Sequence, residues 1–109
     1  YGITFKANCN DLRNSKSLEV IDQLENYGVD VYWNDPLVDE YESININKDK
    51  RISNLTHENI QPELIIFCVA HDEYLEFNKK EYKQFLESAL IVYDVANLIK
   101  FETGNLIKL

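Results

Sequence analysis

Two apolar patterns alternate along the chain. In one, apolar residues follow each other almost without a break, as in LIIFCVA at 64–70 and LIVYDVA at 90–96. Runs of this kind mark parallel strands covered on both faces, because neither side of the strand meets water. In the other, apolar residues recur every three or four positions. Leu18, Ile21 and Leu24 form one stripe, with Val20 and Tyr27 beside it, and Tyr82, Phe85, Leu86 and Ala89 form a second. That spacing gathers the side chains on one helix face. It predicts a helix over 14–27, ended by Gly28 where a C-cap takes positive φ. It predicts another after Asn78 and Glu81, which resemble a capping box.

The shorter segments fill in the order. YGITF at 1–5 and the β-branched, aromatic VDVYW at 29–33 predict strands. Asn34-Asp35-Pro36 ends the second, since Pro36 has no N–H to donate and biases Asp35 toward extended backbone. Residues 37–55 are polar and predict an irregular excursion with one short helix. THENI at 56–60 predicts a helical turn capped by Thr56. Gly104 marks a turn before a last apolar piece, LIKL. Strands alternating with amphipathic helices predict an α/β fold: a three-layer, Rossmann-like domain with a mainly parallel sheet flanked by helices. No repeat, low-complexity tract or linker divides the sequence, so residues 1–109 are expected to be one domain.

Composition narrows the function. Hydrophobic residues are 45% of the chain and aromatics 12%, enough for a packed core and too many for a disordered segment. Nineteen acidic against 11 basic residues give a net charge of −8, which repels nucleic acid and anionic membrane alike. No apolar run has membrane-spanning length, and no signal-peptide pattern precedes the first strand. Two cysteines, Cys9 and Cys68, do not make a disulfide framework, so a reducing, cytoplasmic setting is expected. Cys68 sits in an apolar run and is expected to be buried and inert. The opening YGITF, without an initiator Met, reads as the start of a piece of a longer protein.

Against this negative background, Lys6, Arg13 and Lys16 surround one strand–helix loop. Open parallel sheets bind ligands at the carboxyl ends of their strands, and here four loops leave such ends: 6–13, 34–40, 71–78 and 95–98. Lys6 supplies a point charge, Arg13 a planar fork for phosphate oxygens, and the following helix start supplies unpaired N–H groups. Two readings of these cations stand open: an anion site, or ion pairs with Asp11 and other nearby carboxylates. Only Gly2, Gly28 and Gly104 are glycines, so neither GxGxxG nor a P-loop is present. Cys9, with no His beside it in sequence, reads as an ordinary loop cysteine. His71 ends a strand, where it could contact a ligand; His57 sits in the capped turn. Neither His has metal-ligand spacing, and no metal is expected. Asp35, Asp72 and Asp94 fall at strand ends. A receiver-type Mg²⁺ pocket would need paired acids after the first strand, where Lys6-Ala7-Asn8 stands. Trp33 and Tyr93 are expected in the core.

The string Phe5-Lys6-Ala7-Asn8-Cys9-Asn10-Asp11-Leu12-Arg13-Asn14-Ser15-Lys16 resembles the loop F-K-E-N-C-P-D-x-R-N-[ST]-K of the UDP-glucose/GDP-mannose dehydrogenase family. It is most similar to bacterial members acting on UDP-N-acetyl-hexosamines. Asp35-Pro36, Val69-Ala70-His71 and Asp94 fit the later landmarks of the same C-terminal domain, so the resemblance covers nearly the whole chain. It implies a nucleotide-sugar-binding domain of an enzyme that oxidises a sugar C6 alcohol to a carboxylate with NAD as acceptor. The NAD-binding domain, the catalytic Cys and the dimer-forming helical domain would all lie outside this piece, and the full-length protein would be a homodimer. No catalytic residue is therefore expected here. Phe5 and Lys6 match the pair that contacts the UDP portion, Arg13 matches the arginine that reaches toward NAD, and Asp11 and Asn14 match loop-shaping residues. Asn10 stands where Pro is usual, and Ala96 where Lys or Arg is common; Lys100 lies near enough in sequence to stand in. A non-catalytic Rossmann-like interaction module is the rival reading, and Lys6 discriminates the two.

Overall fold

The computed structural model describes residues 1–39 and 46–109. Its regular elements are helix α1 (Lys16–Asn26), strand β1 (Leu64–Phe67), helix α2 (Lys80–Ser88), and strands β2 (Ile91–Asp94) and β3 (Leu106–Lys108). Short 3-10 turns occur at Lys48–Lys50 and Asp72–Asn78. The sheet runs β1-β2-β3 and is parallel throughout, with Ile65 opposite Val92 and Tyr93 opposite Ile107. The 72–78 turn and α2 supply the crossover that a parallel pair requires. The α/β, Rossmann-like class expected from the pattern is present.

The first two expected strands are weaker than their sequences. Residues 1–5 and 29–33 form no ladder; each is an extended segment held by isolated parallel-type bonds. Beside β1, the Tyr1 nitrogen donates to Ile66 O (2.7 Å) and Cys68 N donates to Tyr1 O (2.8 Å). On its far side, Gly2 N donates to Asn34 O (2.9 Å), and Trp33 in turn pairs with Arg51. These segments thus continue the sheet past β1 by one pairing each. Gly2 accounts for the break in pleat. It has φ +89°, and a Cβ there would stand 2.7 Å from Val69 Cβ, so the chain turns where the segment after β1 passes closest.

The helix boundaries also tighten. Ser15 occupies the α1 N-cap, but its hydroxyl donates to Ile3 O instead of capping the helix. Gly28 has φ +82°, as a C-cap glycine should. The capping box expected at Asn78 and Glu81 is absent: Lys79 holds the α2 N-cap. The Asn78 amide instead bridges another loop, donating to Leu98 O (3.0 Å) and accepting from Lys100 N (2.7 Å). Thr56 is likewise not the cap of its turn; His57 Nδ1 accepts from Asn59 N (3.1 Å). Of the excursion expected to hold a short helix, residues 40–45 lie outside the described residues. The part that follows forms the turn Lys48–Lys50, capped by Asn47.

Two cores result. One packs α2 and the 72–78 turn on the sheet through Ile65, Phe67, Tyr74, Phe77, Leu86 and Val92. Its aromatic centre joins Tyr1, Phe67 and Phe77, with centroids 4.9–5.3 Å apart. The other packs α1, through Leu18 and Ile21, on Ile3, Leu12, Trp33 and Val38. Because α1 lies over the 1–3 and 33 segments, it leaves the alternate face of the ladder open: the paired Leu64 and Ile91 are each 42% exposed. The apolar runs therefore exceed what the described helices cover. Cys68, expected to be buried, is half-buried, while Trp33 is in the core as expected and Tyr93 is only half-buried.

Candidate functional site

The loops that leave the carboxyl ends of the extended segments are knitted into one layer by buried polar groups. Asp35 is fully buried at the end of the 29–33 segment. Its Oδ2 accepts from Ile3 N (2.8 Å), Thr4 N (3.2 Å) and His71 Nε2 (2.8 Å), and its Oδ1 from Leu37 N (2.9 Å). One carboxylate thus fixes the start of the first loop, its own loop and the loop that follows β1. Arg51 closes the second loop from outside, donating to Asp35 O and Val38 O (2.9 Å each). Its guanidinium also lies over the Trp33 ring at 5.2 Å.

His71, which from its strand-end position could contact a ligand, is fully buried. It reaches instead into the first loop, where its Nδ1 accepts from Asn8 N (2.9 Å). Asn8 has φ +59°, a left-handed conformation that Asn tolerates better than most residues. Its side chain then pairs reciprocally with Asp72: Asn8 Nδ2 donates to Asp72 Oδ1 (3.1 Å) and Asp72 N donates to Asn8 Oδ1 (3.0 Å). The first loop closes on itself through Phe5 N to Asp11 O (2.7 Å).

What this frame presents outward is the Phe5–Lys6 tip. Phe5 is 52% exposed, and Lys6 is exposed and makes no ion pair among the described residues. An apolar ring and an ammonium side by side suit a ligand with a flat base or sugar and an anionic group. Arg13 is placed differently. It grips Asp11 with Nε (3.0 Å to Oδ1) and Nη2 (2.9 Å to Oδ2), while its side chain stays 84% exposed. Asp11 also accepts from Arg13 N (2.9 Å), and these bonds hold the Asp11 carboxyl down at about 2. Arg13 therefore has the Asp11 partner that the ion-pair reading named, with most of its side chain still open to solvent. Lys16 pairs loosely with Glu19 at 3.5 Å.

The fourth loop repeats the scheme with local bonds. Asp94, buried at the end of β2, accepts from Leu98 N (2.9 Å) through Oδ1 and Ile99 N (2.8 Å) through Oδ2. Asn97, at φ +55°, turns the chain between them. Ala96 leaves this loop without a cation at its own position. Lys100 folds back onto Asn97 O (2.9 Å), and Lys108 reaches Asn97 Oδ1 (3.2 Å) and the Ile99 carbonyl. Both oxygens of Asp35 and of Asp94 are thus engaged by backbone donors within the loop frame. Among the described residues no cluster of three His, Cys, Asp or Glu side chains is placed to hold a metal.

Sequence reasoning placed Phe5, Lys6 and Arg13 on one loop, and the structure keeps them there. It missed Thr4, Asn8, Asp35 and His71 as the frame of that loop. The available signal was polar residues ending otherwise apolar segments, at Thr4, Asp35 and His71.

An α/β domain with a parallel sheet and helices packed on it belongs among Rossmann-like domains. The particular family is settled by comparison. Residues 1–101 match the UDP binding domain of the UDP-glucose/GDP-mannose dehydrogenase family, and the chain belongs to that family. It is 35% identical over 108 residues to protein CapL of Staphylococcus aureus, covering 95% of this chain and 24% of CapL. It is 27% identical over 105 residues to the UDP-N-acetyl-D-glucosamine 6-dehydrogenase of Pseudomonas aeruginosa, covering 96% of this chain and 24% of that protein. The corresponding enzyme of Salmonella typhi is 26% identical over 105 residues, with 95% and 24% covered. The chain therefore spans about a quarter of the length of these relatives. No solved structure matches it. No helix among the described residues is long and apolar enough to cross a membrane.

Proposed function

We propose that this chain is the C-terminal, UDP-sugar-binding domain of an NAD-dependent nucleotide-sugar 6-dehydrogenase. The longer protein would act in the cytoplasm as a homodimer and make uronic-acid precursors of surface polysaccharide. Phe5 packs against the nucleotide sugar at its UDP portion, and Lys6 neutralises the diphosphate. Arg13 would contact NAD through the part of its guanidinium that Asp11 leaves exposed. NAD, when bound, supplies the hydride acceptor for oxidation at C6. The chain has no glycine-rich phosphate turn of its own, so its fit to NAD is limited to that one exposed guanidinium. Its own work is to bind and orient the sugar nucleotide. Catalytic groups come from outside these residues.

One observation carries the reading: Lys6 is exposed, without an ion pair among the described residues, on a loop anchored at both ends to buried groups. A surface lysine kept only for solubility has no need of such a frame. The test is an NMR titration of the labelled chain with UDP and then NAD at low salt. UDP is expected to shift the Phe5 and Lys6 amides. Lys6→Ala is expected to weaken UDP about tenfold, as loss of one charge-assisted contact does. Stability should stay within about 0.5 kcal/mol of the parent. Unaltered UDP binding by the variant would sink the assignment of Lys6. No binding by the parent would favour the interaction-module reading.

A further inference from the structure

His71 is a buried, titratable side chain with no role so far except in holding the frame. Its two ring nitrogens face groups of fixed character. Asn8 N–H can only donate, so Nδ1, 2.9 Å away, must carry the lone pair. The ring hydrogen is then on Nε2, which points at Asp35 Oδ2 (2.8 Å). Thr4 Oγ1, 3.0 Å from Nε2, donates onward to Lys6 O (3.3 Å), which leaves its lone pair toward the imidazole. The Tyr74 ring closes the remaining side, its centroid 5.5 Å from that of His71, with its hydroxyl given to Asn34. The imidazole is thus a rigid spacer between the Asp35 carboxylate and the Asn8 amide. Phe5, Lys6 and Ala7 are the residues spanned between its two contacts at Thr4 and Asn8.

We infer that His71 is the positioning residue of the Phe5–Lys6 tip: held as the neutral Nε2–H tautomer by Asp35, it sets the shape of the nucleotide loop through the Nδ1 acceptor that it offers to Asn8. This rests on the reading that Phe5 and Lys6 hold UDP. A merely structural histidine would serve through either nitrogen. A positioning one acts through Nδ1, and that difference is testable because the two carboxamide residues each copy one end of the ring. In Asn, Oδ1 takes the place of Nδ1 and accepts from Asn8. In Gln, the longer side chain takes the place of Nε2 and reaches Asp35 but offers Asn8 nothing.

The experiment compares the unaltered chain with His71→Asn and His71→Gln by three readings: ring ¹⁵N resonances, hydrogen exchange at the Asn8 amide, and titration with UDP. The unaltered chain should show an unprotonated Nδ1 and a protonated Nε2. His71→Asn should keep slow exchange at Asn8 and UDP affinity within about threefold, whereas His71→Gln should lose both, with affinity down about tenfold for the missing bond and the freed loop. A protonated Nδ1 in the unaltered chain would overturn the proposal even if neither variant folds. So would a Gln variant whose Asn8 exchange equals that of the Asn variant. Because ring resonances and amide exchange need no ligand, a chain that fails to bind UDP defeats the functional reading and leaves the part His71 plays in shaping the loop to be decided by these two measurements.

Discussion

Asp35 and Asp94 invite comparison. Both are buried carboxylates at the end of an extended segment, and both give each oxygen to a backbone N–H. Asp94 binds its own loop, four and five residues ahead. Asp35 binds Leu37 two residues on, but its other partners are Ile3 and Thr4, 32 and 31 residues back, and His71, 36 residues ahead. The same chemistry therefore does two jobs. Asp94 shapes one turn. Asp35 joins three parts of the chain whose backbones share only isolated hydrogen bonds, because residues 1–5 and 29–33 lack a ladder. A short extended segment can be held in a sheet by one long-range carboxylate where a longer strand would rely on its own hydrogen bonds.

The comparison is broken most directly at Asp35. In Asp35→Ala, three backbone N–H groups and the His71 Nε2–H lose their acceptor inside the protein. Removing one partner of a buried charged network costs about 3–5 kcal/mol. Urea unfolding should show a loss of that size, and hydrogen exchange should rise in 1–8, at 37 and around 71 together. A loss below about 1 kcal/mol would mean that the bridges at Tyr1, Gly2 and Trp33 suffice without it. Asp94→Ala comes next. It strands Leu98 N and Ile99 N and removes a loose ion pair with Lys108 (3.8 Å), which predicts a loss of about 2–3 kcal/mol. The exchange changes should be confined to 95–100, and a spread into 1–8 would erase the distinction between the two aspartates.

The same contrast explains what the sequence disclosed. The stripes Leu18-Ile21-Leu24 and Tyr82-Phe85-Leu86 are repeated local signals, and they gave α1 and α2 within a turn. Gly28 is a single-residue signal with a single steric cause, and it too was legible. The runs 64–70 and 90–96 named their strands but overstated them, since β1 ends at Phe67 and β2 at Asp94. Hydrophobicity marks what is buried, and it cannot say where a ladder stops and a buried loop begins. Asn78 was misread because an Asn at a helix start usually caps; here the partner that won, Leu98 O, lies 20 residues away. The partners of His71 were hidden for the same reason. Its chemistry was visible, but its partners at Thr4, Asn8 and Asp35 come from two other segments, and no spacing rule links them. The candidate ligand residues, Phe5, Lys6 and Arg13, were legible because their string is contiguous and matches a family. The frame that holds them was not, because it is assembled only by the fold.

Asp11 extends the comparison to a third carboxylate, whose side chain is 30% exposed and bound two residues ahead, to Arg13. Hydrogen bonds from the Arg13 side chain, then from its backbone N–H, hold the Asp11 carboxyl at about 2, below its ordinary value of 3.8. A carboxyl lowered on folding contributes stability above its unfolded value, and that contribution is lost as pH falls through the folded one. Loop order at 5–13 should therefore persist down to about pH 4 and loosen toward pH 2. Arg13→Ala should return the Asp11 titration, followed by its carboxyl ¹³C resonance, most of the way to the ordinary value. Melting should hardly change, since exposed pairs contribute little. An Asp11 titration left near 2 in the variant would assign the shift to the loop's own backbone, and would free the Arg13 guanidinium from its part in shaping the loop.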